Sequence, residues 1–191
     1  MADFSSSRGD IPSEHHKGVR PFINIVSLQH CQAHSGISCS KFIYCLLNHS
    51  LMASILFAKV SPTIDFLHGF FRPPSGIPLV LGEIGSKLGG DTSMTNTISA
   101  ALWPTDLLLY SSSFGARSMA MQLGDGFEIA AWQPHDILSS NGTVVKEQEE
   151  QAGSYGMAFA ADFVGKGADF YDFKVHRLVE REGLAVYAGY R

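Results

Sequence analysis

Apolar residues along this chain fall into two rhythms. Phe22 to Leu28, FINIVSL, and Ile77 to Gly82, IPLVLG, are short unbroken apolar runs rich in β-branched residues, the pattern of buried strands. Arg117 to Gln122 predicts a third short strand. Between them lie longer stretches with helical spacing. Lys41 to Lys59 predicts a buried helix, continued after Ser61 by a segment in which Pro62 occupies a first helical turn. Met94 to Phe114 predicts another, stopped by Gly115 and kinked or divided at Pro104. A further helix is expected from about Ser154 to Val164. Phe170 to Leu178 and Leu184 to Tyr190 then predict an antiparallel hairpin turning at Glu180 to Gly183.

Strand, helix, strand, helix, strand, helix, hairpin is the order of an α/β chain whose parallel sheet is covered on both faces, as in a (β/α) barrel or a doubly wound sheet. Three parallel strands cannot close an eight-stranded barrel. The chain is therefore expected to be an open sheet or a piece of a barrel. Residues 1–20, rich in turn formers and charges, are expected to form a loose leader.

Composition narrows the classes of function. The 191 residues are 45% hydrophobic and 17% charged, enough apolar surface for a core. A net charge of -4, without a basic stripe, argues against nucleic acid as a partner. Membrane insertion is not expected either, because Asn48, His49 and Ser50 interrupt the apolar run from Phe42 to Val60. The opening MADFSSSRGD is polar where a signal peptide needs an apolar core, so the chain as written carries no export signal. Three cysteines, Cys31, Cys39 and Cys45, have neither the parity of a closed disulfide framework nor CxxC spacing. Sequons at Asn48 and Asn141 would matter only in a secreted chain.

Candidate chemistry centres on Glu83. It follows the strand IPLVLG directly and is flanked by Gly82 and Gly85, which leave room for a ligand. Catalytic groups of barrels stand at the carboxyl ends of strands, whereas a glutamate in a turn is often merely solvated. Trp132, in AAWQPHD, is either a sugar-stacking platform or a core tryptophan. His30, Cys31 and His34 in HCQAH lack a nearby acidic ligand and shared helical spacing, so no metal is expected. GSKLGGD and GKGAD do not match phosphate-loop or dinucleotide patterns, and no cofactor is expected.

Taken together, LVLGEIGS, TISAALWPTDLLLYSSSFGARSMAMQLGDGFEIAAWQP, SYGMAFAADFVG and the AVYAGY ending resemble glycoside hydrolase family 79, in particular its fungal β-glucuronidases, relatives of heparanase. The segment LLNHSLMASILFAKVSPTIDFLHGFFRPPSGIP is similar as well, and the likeness spans roughly residues 22–191. The resemblance implies a retaining glycosidase on an eight-stranded TIM barrel with an appended β-sandwich. Residues 21–165 would supply about the sixth to eighth barrel strands, and residues 166–191 the start of the carboxyl-terminal β-domain. Glu83 then takes the nucleophile position, and a glucuronic-acid-containing glycan is the implied partner of the intact protein, in a family usually secreted.

Retaining hydrolysis needs a second carboxyl about 5 to 5.5 Å away as acid/base. In the family it follows an asparagine on the fourth strand. No Asn-Glu pair occurs in this sequence, so the chain is expected to be inactive alone. Gln122 stands where the family usually has a histidine, and Ile129 where a tyrosine often approaches the sugar carboxylate. Trp132 is retained in its Trp-Gln-Pro word, and His30 falls near the family's cluster at the sixth strand. The expectation from a different class is a noncatalytic module that binds carbohydrate or protein.

Overall fold

The computed structural model describes residues 2–3, 25–34, 39–71, 78–88, 97–122, 130–165 and 173–190, with side chains for these except residues 2–3, 33–34, 39–40, 62–71 and 87–88. The elements in order are β1 (Ala2–Asp3), β2 (Val26–His34), α1 (Cys39–Leu47), α2 (His49–Phe71), β3 (Leu79–Leu88), α3 (Ile98–Ser113), β4 (Ala116–Met121), β5 (Trp132–Gln133), β6 (Ile137–Leu138), β7 (Val144–Lys146), β8 (Glu149–Glu150), α4 (Ala152–Val164), β9 (Lys174–Arg181) and β10 (Leu184–Tyr190).

β1 to β4 form one sheet in sequence order, every pairing parallel. Helices connect the three longer strands, as the alternation of apolar runs requires. Val26 and Leu28 of β2 and Leu79, Leu81 and Ile84 of β3 share a core with Phe42, Leu46, Met52, Leu56 and Val60 of α1 and α2 and with Trp103, Leu107 and Tyr110 of α3. Sequence order suggested cover on both faces. The helices of this core instead lie on one, because the alternate positions of β2 and β3 are mostly small or polar, Ser27, Gln29, Gly82 and Glu83, with Val80 half-buried among them.

The long apolar run is two helices meeting at 77°. Asn48 causes the corner: its Oδ1 accepts the Leu51 N–H at 2.8 Å, capping α2, while its side-chain amide donates to Glu182 at 3.2 Å. The boundary therefore falls at Asn48, and α2 runs on through Pro62. Buried in this way, Asn48 is a structural residue, whereas the sequon at Asn141 sits in an exposed turn. Among the described residues no single helix is long and apolar enough to cross a membrane.

α3 stays continuous through Pro104, although proline withholds the N–H that would bond the Ala100 carbonyl. The irregular site is where α4 docks. A Cβ on Gly156 would lie 2.0 Å from the Ala101 carbonyl oxygen and 2.9 Å from Pro104 Cγ, so only glycine permits the approach. Thr105 Oγ1 stands 3.2 Å from both the Ala101 and Gly156 carbonyl oxygens, shared between the two helices. Gly115 ends α3 as anticipated, with φ of 91°.

The β9–β10 hairpin forms as predicted, its turn at Glu182-Gly183. It is tied to the helices by polar contacts. His49, buried at the start of α2, has Nδ1 2.9 Å from Asp106 Oδ2 of α3 and Nε2 3.4 Å from Glu180 Oε1 of β9. Tyr187 of β10 donates its hydroxyl to the same Asp106 carboxylate. Burial, then the Asp106 charge, pushes the Tyr187 phenol far above its usual range.

Candidate functional site

Glu83 owes its position to an extra residue. Leu28 pairs with Leu81 and Gln29 with Glu83, so Gly82 has no partner in β2 and forms a β-bulge. β4 repeats the offset, since Met119 faces Leu81 and Met121 faces Ile84. Regular alternation would carry Glu83 to the same face as Leu81, under the helices. The bulge turns it to the opposite face, beside Gln29. Gly82 also leaves space for Ser27, whose Oγ lies 2.1 Å from where a Cβ would be.

Glu83 is half-buried, and among the described residues it makes no hydrogen bond or ion pair. Its charge is felt by a neighbour on the same face: burial foremost, then Glu83, raises the Cys31 thiol above its ordinary range. Gln122, next after β4, donates its backbone N–H to the Ile84 carbonyl at 2.8 Å. Its Oε1 is buried without a hydrogen-bond partner among the described residues. Glu83 therefore does not stand at the end of its strand as expected from IPLVLG: β3 runs on to Leu88, and Glu83 lies within it, with Gln122 just past the end of β4 alongside.

His30 goes elsewhere. It pairs with Ile84, one step beyond Glu83, and its side chain therefore enters the helix-covered core. There the ring stacks on Trp103, with centroids 6.5 Å apart, and lies 3.1 Å from Gln32 Oε1. Burial lowers its pKa to about 4, keeping it neutral. The structure thus puts His30 and Glu83 on opposite sides of the sheet.

Trp132 begins the small β5–β8 ladder, where it pairs with Glu150. It is 47% exposed, so its indole is available for stacking and is not in the core. The neighbouring Gln133 is fully buried and donates to the His135 carbonyl at 2.8 Å, fixing the segment from below. Ile129 lies outside the described residues.

Sequence reading missed the His49, Asp106 and Tyr187 cluster. Asp106 is the single acidic position in the apolar stretch from Ile98 to Tyr110, a clue to an internal partner, but its partners lie 57 and 81 positions away.

No protein-family model matches the sequence. A β-glucuronidase of Aspergillus niger is 32% identical over 146 residues, which are 76% of this chain and 25% of that protein. This chain is similar to fungal β-glucuronidases. A second such enzyme, from Neurospora crassa, is 31% identical over 100 residues, 52% of this chain and 17% of the relative. The chain thus spans a quarter or less of the β-glucuronidases it matches. A crystal structure of a 4-O-α-L-rhamnosyl-β-D-glucuronidase from Fusarium oxysporum superposes with a TM-score of 0.62 at 19% identity, covering 87% of this chain and 31% of that one. The mixed helix and strand fold is accordingly shared with a glucuronidase.

Proposed function

We propose that this chain carries the nucleophile portion of a retaining glycoside hydrolase acting on glucuronides. In this reading β2, β3 and β4 are the sixth to eighth strands of a (β/α)8 barrel, and β9 and β10 begin its carboxyl-terminal β-sandwich. Glu83 is the nucleophile. The observation that carries the proposal is the Gly82 bulge, which takes a glutamate out of the apolar core and presents it beside Gln29 and Gln122. Bulges of this kind commonly re-aim side chains at active sites. Similarity to β-glucuronidases over 76% of the chain supplies the substrate class.

The chemistry follows from the carboxylate. Glu83 attacks the anomeric carbon, forming a glycosyl ester as the bond to the leaving oxygen breaks. Gln122 Oε1, buried and without a hydrogen-bond partner among the described residues, accepts from a sugar hydroxyl, and Trp132 supplies a stacking face. His30 contributes packing beneath the sheet through Trp103. Protonation of an ordinary leaving oxygen requires the acid/base carboxyl, for which the sequence has no Asn-Glu candidate. Alkyl glucuronides are therefore expected to survive exposure to the chain.

A fluoride leaving group needs no such protonation, so 2-deoxy-2-fluoroglucuronyl fluoride tests the nucleophile alone. The carboxylate displaces fluoride, and the electron-withdrawing 2-fluoro substituent slows loss of the ester. Mass spectrometry of digested protein should locate one glycosyl adduct at Glu83, absent from Glu83→Gln. Labelling at another residue, or none, would overturn the assignment.

A further inference from the structure

We propose that Asn141 is the acceptor of an N-linked oligosaccharide, and that Asn48, which heads the same kind of triplet, is refused. Asn141-Gly142-Thr143 and Asn48-His49-Ser50 both satisfy the acceptor pattern, so the sequence ranks them equally. The fold separates them.

Asn48 spends its amide on the corner between α1 and α2. Its Oδ1 takes the Leu51 N–H at 2.8 Å, its Nδ2 donates to Glu182 at 3.2 Å, and the residue is 6% exposed. A sugar on that nitrogen would need the space that the Glu182 turn fills.

Asn141 stands at the tip of the β6–β7 hairpin. The loop closes on itself, with the Ser139 N–H donating to the Thr143 carbonyl and the Gly142 N–H to the Ser139 carbonyl, both at 2.9 Å. Asn141, Gly142 and Thr143 are all exposed. Gly142 has φ of 83°, so the chain turns sharply directly after the acceptor. Within this turn the Thr143 N–H donates to Asn141 Oδ1 at 3.0 Å, and the Ser139 hydroxyl donates to the same oxygen. An N–H can only donate, so the atom facing it is the oxygen, and the planar amide holds Nδ2 on the other side. The same bond fixes Thr143, whose hydroxyl completes the acceptor pattern, beside the side chain to be modified.

The transfer is a substitution at a sugar carbon. Asn141 Nδ2 bonds to C1 of an oligosaccharide carried on a lipid pyrophosphate, the C1–O bond breaks, the pyrophosphate leaves with the electron pair, and one amide proton is lost to water. None of this involves Glu83, so the proposal stands apart from the catalytic reading.

The folded full chain, incubated with an oligosaccharyltransferase and a polyprenyl-pyrophosphate oligosaccharide, tests the assignment by gel shift and by mass spectrometry of proteolytic peptides. One adduct, on Asn141, is expected. Asn141→Gln and Thr143→Ala should abolish it, and Ser50→Ala, which deletes only the other triplet, should leave it unchanged. Synthetic peptides spanning residues 46–52 and 137–145 present each triplet free of the fold, and both should be modified. Reaction of the 46–52 peptide without reaction of Asn48 in the folded chain is the signature of burial. Circular dichroism establishes that each variant folds. No adduct on the folded chain, an adduct on Asn48, or one that survives Asn141→Gln would overturn the proposal.

Discussion

Gln29 and Glu83 face each other across β2 and β3 because Gly82 drops out of register between them. One omitted pairing separates a glutamate under the helices from one on the opposite face. Gly82→Ala should cost about 1 to 3 kcal/mol, since its Cβ meets Ser27 Oγ. Ser27→Ala should remove most of that penalty. A double-mutant cycle by chemical denaturation measures the coupling, and strict additivity would mean that the two residues do not compete for space.

Gly156→Ala has no comparable remedy. Its new methyl meets the backbone carbonyl of Ala101, which cannot rotate away, so α4 must shift from α3. About 3 kcal/mol of stability should be lost. Gly183→Ala, with nothing within 4 Å, is the matched control and should lie within about 0.5 kcal/mol of the parent.

Asp106→Ala removes the partner of both His49 and Tyr187. About 3 kcal/mol should be lost, because a buried imidazole and a half-buried phenol are left without their acceptor. Tyr187→Phe, which removes only the hydroxyl, should cost about 1 kcal/mol. Limited proteolysis should cut the β9–β10 hairpin earlier in Asp106→Ala than in Tyr187→Phe.

His30 predicts a pH dependence with a definite sign. Its folded-state pKa is lowered from 6.5 to about 4, so between these values the unfolded chain binds the extra proton. Stability therefore increases as pH rises through that window and declines as pH falls from 6.5 toward 4. The total is on the order of 3 kcal/mol. His30→Met should flatten this part of the stability profile, measured as denaturation midpoint against pH.

Strand and helix order was legible because β2 and β3 each begin inside an apolar run and α3 ends at a glycine with positive φ, but both strands continue past those runs, to His34 and Leu88, where the residues turn polar or glycine-rich and pattern alone stops. The hairpin was legible from its two runs and charged turn. What pattern could not disclose was register: alternation alone assigns Glu83 to the core, and only the pairing on both sides exposes the bulge at Gly82. His30 attracted attention as polar chemistry, yet one position of strand parity sent it beneath Trp103. Trp132 was balanced between core and platform, and its exposure removes it from the core. Helix division went to Asn48 and not Ser61, because a capping side chain outweighed the proline signal. The Asp106 cluster was hidden for a simpler reason, since its members meet only after three elements have packed.

The corner at Asn48 carries a consequence for biosynthesis. Both the Asn48 amide and the His49 backbone N–H are satisfied by Glu182, which leaves the ribosome 134 positions after Asn48. Until that turn emerges, the junction of the first two helices lacks its last partners, and a nascent chain must hold most of its length half-assembled. Such late closure of a distant contact favours slow, cooperative maturation and makes the partly synthesised polypeptide a natural client for chaperones.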